Sequence, residues 1–180
     1  SDLEDHCNST IVDSRLVNNR GNSYLSLFHV GAIDASLKVS RLHELGNDVL
    51  YGGIGNDFMT GLDGNDTVLG EDGNDTLAGW FGNDSIVGAV GNDSISGDAG
   101  LDTLYGSVGD DTINGGNDAD SLYGEAGNDS LSGDAGNDLL IGGDGIDKLN
   151  GGNDNDTLYG QLGNDSLDGE AGNEIGRAHV

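Results

Sequence analysis

Aspartate recurs at every ninth residue through most of the chain. Asp57, Asp66, Asp75, Asp84, Asp93, Asp102, Asp111, Asp120, Asp129, Asp138, Asp147, Asp156 and Asp165 form one series, and Asp48 is already in phase ahead of them. A Gly-rich stretch precedes each one. Residues 52–180 hold 26 of the 33 acids against only Lys148 and Arg177, a balance of −24, so ion pairs along the chain cannot neutralise these carboxylates. Carboxylates on a fixed period, next to turns whose carbonyls can also point inward, are suited to coordinating a hard cation through oxygen.

Other chemistries are excluded by what their motifs lack. His43-Glu44-Leu-Gly-Asn47 has no second His for a zinc-protease site, and Gly21-Asn-Ser-Tyr-Leu25 has no final Gly for a nucleophile elbow. There is no Gly-Lys-Ser/Thr phosphate loop, and no EF-hand loop with Glu at its twelfth position. No catalytic group is expected, and this chain is read as no enzyme. A net charge of −27 opposes nucleic-acid binding, which needs cationic contacts to phosphate. No apolar run approaches the ~18 residues of a spanning helix. Cys7 is the only cysteine, so no intrachain disulfide can form. The Asn-x-Ser/Thr triplets at Asn65, Asn74, Asn83, Asn92, Asn128, Asn155 and Asn164 follow from the repeated turn and are not read as glycosylation sites.

The element that positions the carboxylates is a repeat. Gly52 to Arg177 divides into fourteen nine-residue units without a slip in phase. Position 1 is Gly in all fourteen, position 4 is Gly in twelve, position 6 is Asp in thirteen, and position 8 is aliphatic or Met in thirteen. The first six residues of a unit suit a tight turn, because Gly reaches positive φ without a Cβ penalty. The last three, such as Thr67-Val-Leu69, are β-formers with one apolar side chain between two outward positions. Position 9 alternates between a bulky set (Tyr51, Leu69, Val87, Tyr105, Tyr123, Ile141, Tyr159) and a small or polar one (Thr60, Ala78, Ser96, Asn114, Ser132, Asn150, Asp168). An eighteen-residue period on top of the nine means two units per coil. Units n and n+2 then stack, giving two parallel sheets in a rod of roughly 34 Å at ~4.8 Å per coil.

The unit Gly-Gly-x-Gly-x-Asp-x-(apolar)-x resembles the RTX, or repeats-in-toxin, calcium-binding nonapeptide, over residues 43–173. The resemblance implies an all-β fold, a right-handed parallel β-roll (β-solenoid) with calcium between adjacent turns. Stacking would let each ion bridge two Asp residues eighteen apart, such as Asp57 with Asp75 or Asp66 with Asp84. Asp57 through Asp165 make eleven such pairs, and Asp48 adds a twelfth. The expected cofactor is therefore Ca²⁺ at about eleven or twelve sites, with a roll that folds only when the ions neutralise the aligned carboxylates. The resemblance also implies an extracellular protein, secreted or at the cell surface, exported unfolded by type I secretion and folded by calcium outside. The alternative is that the chain is the calcium module of a truncated secreted enzyme (protease, lipase or polysaccharide-modifying enzyme) or of a surface adhesin.

The two ends differ from the array. Residues 1–42 are expected to be a β-rich cap on the first coil, or the remnant of an upstream domain, with strands at Tyr24–Phe28 and Leu37–Ser40 broken at residues 18–22 and at Gly31. Residues 174–180 break the repeat and match the translation of a common sequencing-adapter read, so they are expected to be a foreign tail on a fragment. Asp118 and Asp154 stand where position 4 calls for Gly, as tolerated substitutions or as extra ligands. The Tyr51, Tyr105, Tyr123 and Tyr159 column forms a packed ladder on one outer face, or a docking surface for a neighbouring domain or partner.

Overall fold

The computed structural model describes residues 16–17, 23–26, 38–41, 46–172 and 175–179. Three strands precede the array: β1 (Leu16–Val17), β2 (Ser23–Ser26) and β3 (Lys38–Arg41). The array contributes β4 (Val49–Ile54), β5 (Asp57–Asp63), β6 (Thr67–Asp72), β7 (Thr76–Phe81), β8 (Ser85–Val90), β9 (Ser94–Ala99) and β10 (Thr103–Val108). It continues through β11 (Thr112–Asn117), β12 (Ser121–Ala126), β13 (Ser130–Ala135), β14 (Leu139–Asp144), β15 (Lys148–Asn153), β16 (Thr157–Leu162) and β17 (Ser166–Asp168), and β18 (Ile175–His179) closes the series.

Even- and odd-numbered array strands belong to different sheets. One has ten strands in the order β1-β2-β4-β6-β8-β10-β12-β14-β16-β18, and the other has eight in the order β17-β15-β13-β11-β9-β7-β5-β3. Within the array each strand pairs in parallel with residues eighteen further on, as in Leu104↔Leu122 and Ile113↔Leu131. Two units therefore complete one coil, and about seven coils form a parallel β-solenoid with no helix among the described residues. The core is one side chain deep. Position 8 from Leu50 to Leu158 is buried in every unit, and Leu167 packs half-buried against the end.

The strands are longer than the three-residue segments expected from β-formers alone. Most run six residues, from position 7 across the unit boundary to position 3 of the next unit, leaving only positions 4 to 6 as the turn. The reason lies at position 1. Gly from 52 to 160 is buried beside the apolar position 8, so the inward-outward alternation continues through it. Position 2 then takes positive φ whatever its residue, as at Leu62 (78°), Trp80 (83°) and Asp98 (72°). Bulky residues reach that region only at a cost, so the parallel ladder on both sides must hold them there.

The leading strands extend both sheets. β2 pairs in parallel with β4 (Leu25↔Leu50), β3 with β5 (Ser40↔Met59), and β1 lies antiparallel to β2. β2 and β3 overlap the two strands expected there; residues 27–28, the break at 18–22 and Gly31 lie outside the described residues. At the other end β18 follows β16 in register through Leu158↔Gly176, then slips between Tyr159 and Gln161. Gly176 thus stands exposed at the end of a core column that Leu, Ile or Val fills elsewhere. A Cβ there would meet only Leu167, with Cδ2 at 3.4 Å and Cβ at 4.0 Å, and its φ lies outside the positive region. Gly176→Leu is accordingly expected to raise the melting temperature of the calcium-loaded roll, through about 1.5 kcal/mol of added burial. A thermal melt reads the shift.

Candidate metal centre

The turns carry the Asp residues into the interior. Asp48, Asp57, Asp66, Asp75, Asp84, Asp93, Asp102, Asp111, Asp120, Asp129, Asp138, Asp147 and Asp156 are all buried, and Asp165 at the end is half-buried. They form two columns, one at each row of turns, with members eighteen residues apart. The backbone N–H of each Asp donates to Oδ1 of the Asp one coil later: Asp66 to Asp84 and Asp93 to Asp111, both 2.7 Å, and Asp147 to Asp165, 3.1 Å. All twelve pairs expected from the spacing, Asp48–Asp66 included, are joined in this way.

From Asp66 onward one oxygen of each carboxylate is thereby engaged, and the other faces inward. Oδ2 of Asp66, Asp84, Asp93, Asp102, Asp111, Asp120, Asp129, Asp138 and Asp147 is buried with no hydrogen-bond partner. It rests over the Cα of the position-1 Gly of its own unit, so that a Cβ on Gly106 would strike Asp111 Oδ2. For several turns the position-1 carbonyl of the next coil lies at the same spot, as Gly88 O does beside Gly70 and Asp75. An unpartnered carboxylate oxygen in a buried site is costly unless a cation accompanies it.

Burial raises these carboxyls, the N–H from the preceding Asp partly offsets it, and neighbouring Asp charges raise them further. Asp84, Asp111 and Asp120 are pushed up from 3.8 to about 7. Asp66, Asp93, Asp129 and Asp138 reach about 6, and Asp102 and Asp147 are raised for the same reasons. Stacked like charges without counter-charge have this effect, and a divalent cation would reverse it. No three His, Cys, Asp or Glu side chains converge on one point among the described residues. The donor set is a pair of carboxylates plus backbone carbonyls, which fits an oxygen-seeking ion such as Ca²⁺ and not a thiolate- or imidazole-bound metal.

A family model for the RTX calcium-binding nonapeptide repeat matches four times, over residues 44–77, 79–113, 105–140 and 141–173. The chain belongs to the RTX calcium-binding repeat family. Its repeats are calcium-binding repeats. No curated protein matches the chain.

The RTX turns here contain a second ladder that the spacing did not reveal. Position 5 is mostly Asn, and its Oδ1 accepts the N–H of the position-5 residue one coil later, as from Asn65 to Asn47 and from Asn92 to Asn74, both 2.9 Å. The recurrence of Asn at one place in the unit was the available signal, and it reads as part of the glycosylation-like triplets. Asp118 and Asp154 take φ of 74° and 81°, as substitutions tolerated in the left-handed region require. Both are exposed, and their charges help raise Asp120 and Asp138.

Two surface features lie away from the Asp columns. A hollow of about 400 Å³ on the eight-stranded sheet opens over Gly116 and Gly152, between Asp98, Asp134 and Glu170. Asn114 Nδ2 donates to Asp134 at 2.7 Å, Asn150 Nδ2 to Glu170 at 2.8 Å and Ser96 Oγ to Asp98 at 3.0 Å, so all three acids already have donors. On the ten-stranded sheet, Tyr51, Leu69, Val87, Tyr105, Tyr123, Ile141 and Tyr159 line up rung by rung, with Tyr105 and Tyr123 stacked at 4.7 Å. Among the described residues no helix is long and apolar enough to cross a membrane.

Proposed function

We propose that this RTX region folds around calcium, with Asp48 through Asp165 as its carboxylate ligands. Each ion is shared by Asp residues eighteen apart, giving about eleven or twelve ions along the two columns. The observation that carries this is the set of buried, unpartnered Oδ2 atoms of Asp66, Asp84, Asp93, Asp102, Asp111, Asp120, Asp129, Asp138 and Asp147, each next to an Asp on the following coil. Bound calcium supplies the positive charge that these rows lack. The chain's own part is to fix Oδ1 by the N–H ladder, leave Oδ2 turned inward, and clear space with Gly at position 1. Extracellular-type affinities of ~10⁻⁴ to 10⁻³ M suit a chain kept unfolded inside the cell, exported by type I secretion and folded outside.

Three further assignments accompany this reading. The strands of residues 1–42 act as a cap, which is supported by their adding a rung to each sheet. Residues 174–180 are a foreign tail, supported by the register slip in β18 and by Gly176 in the core column. The Tyr51, Tyr105, Tyr123 and Tyr159 column offers a docking face, with Ile54, Val90, Val108 and Leu162 exposed along its strands.

Isothermal titration calorimetry tests the ligand assignment. Asp111 belongs to the pairs Asp93–Asp111 and Asp111–Asp129. Asp111→Ala is expected to remove about two ions from the wild-type count. An unchanged stoichiometry in that variant would falsify the shared-ligand arrangement.

A further inference from the structure

The position-5 row does more than repeat the Asp ladder, because it runs in the opposite sense. At position 6 the N–H reaches forward to the next coil; at position 5 it reaches back, from Asn83 to Asn65 Oδ1 at 3.0 Å and from Asn74 to Asn56 Oδ1 at 2.9 Å. A trans peptide points its N–H and C=O in opposite directions. Anchoring the position-5 N–H to the coil before therefore turns the position-4 carbonyl toward the coil after. That is where it lies: a Cβ on Gly64 would strike Gly46 O, and one on Gly82 would strike Gly64 O. Two consecutive peptides are clamped in this way, one to each neighbouring coil, immediately before the candidate calcium ligand.

We propose that the position-5 acceptor is a positioning residue of the calcium turn, and that its interruption at Leu101 and Ala119 makes a seam dividing the roll into two separately loading blocks. The proposal rests on the calcium reading above. Asp110 replaces Asn and keeps the acceptor, taking the Asn128 N–H at 2.7 Å. Leu101 cannot offer one to Ala119, nor Ala119 to Asn137, two successive gaps in one column. Ile146 leaves a single gap in the other column. Leu101 and Ile146 are 55% and 58% exposed, so neither gains core packing in exchange. The stacking of the turns loosens across the first gap, where Gly100 N–H to Asn117 O is 3.5 Å; the other long bond, Gly136 N–H to Asn153 O at 3.4 Å, lies one coil beyond the second gap, and the equivalent bonds elsewhere are 2.7 to 2.9 Å.

Restoring the row tests this without deleting anything the fold needs. Trp80, the only tryptophan, lies before the seam, so its fluorescence follows the first block while far-UV circular dichroism follows the whole roll. In a calcium titration of the full chain the two signals are expected to have different midpoints. The double variant Leu101→Asn/Ala119→Asn should bring them together and lower the circular-dichroism midpoint about twofold. The double variant Leu101→Gln/Ala119→Gln, with the same amide one methylene too far out, should leave both midpoints as in the wild type. Coincident wild-type midpoints, an Asn variant identical to wild type, or a Gln variant that shifts equally would each overturn the positioning role. A wild-type chain with no calcium response at all would instead remove the calcium reading itself.

Discussion

Acidifying the calcium-free chain from pH 8 to pH 5 is expected to increase its β content. The direction follows from the carboxyls of the two columns. Asp84, Asp111 and Asp120 sit at about 7 in the folded roll, Asp66, Asp93, Asp129 and Asp138 at about 6, all against 3.8 for an exposed group. A carboxyl whose folded value is raised destabilises the fold fully above that value. The penalty is relieved as pH falls through 7 and 6, and no further relief comes below about 4. Each pH unit by which one carboxyl is raised corresponds to about 1.4 kcal/mol, and Asp102 and Asp147, raised for the same reasons, contribute in the same direction. Protons thus replace calcium in part, by neutralising the same oxygens. The same competition should weaken calcium binding between pH 7 and 5, measured as a higher calcium midpoint at the lower pH. A calcium-free chain that stays equally unfolded from pH 8 to 5 would contradict this.

The second large effect is steric. Gly106→Ala is expected to destabilise the calcium-loaded roll by about 3 kcal/mol, although Gly to Ala within a strand ordinarily stabilises by roughly 0.5 to 1. The added methyl would strike Asp111 Oδ2 and come within 2.9 Å of its Cβ and Cγ. Asp111 cannot swing aside without losing the Asp93 N–H that its Oδ1 accepts, and its own N–H, donated to Asp129, holds its backbone in place. Relief requires breaking a ladder bond or displacing the candidate ligand oxygen. Because each coil contacts only its neighbours, the damage should stay local and remove the ions of that turn. Thermal melts with saturating calcium measure the loss; a neutral or stabilised variant would show that position 1 is not shaped around the Asp side chain.

Much of this was legible from two periods. The nine-residue period located the Asp columns and the single-file core, and the eighteen-residue alternation at position 9 set two units per coil with Leu104 against Leu122. What the sequence concealed was the purpose of individual residues within the unit. Gly at position 1 looks like turn glycine, yet it lies in a strand, and it is Gly because Asp Oδ2 occupies the space of its Cβ. Position 2 takes positive φ even at Leu62 and Trp80, which no propensity suggests, because the ladder overrides local preference. The Asn row was hidden because hydrogen bonds across eighteen residues leave no trace but a recurrence that other motifs also explain. The offset of nineteen between β3 and β5 and the slip in β18 fall where the period stops informing the register.

Calcium dependence of folding is the most direct measurement, made by far-UV circular dichroism at pH 7.5, where the columns are largely ionised. In excess EDTA the chain should give the signal of an unfolded polypeptide, in millimolar calcium that of a β-solenoid, and chelation should reverse the change. An equal β signal in both conditions would show that the roll stands without its ions.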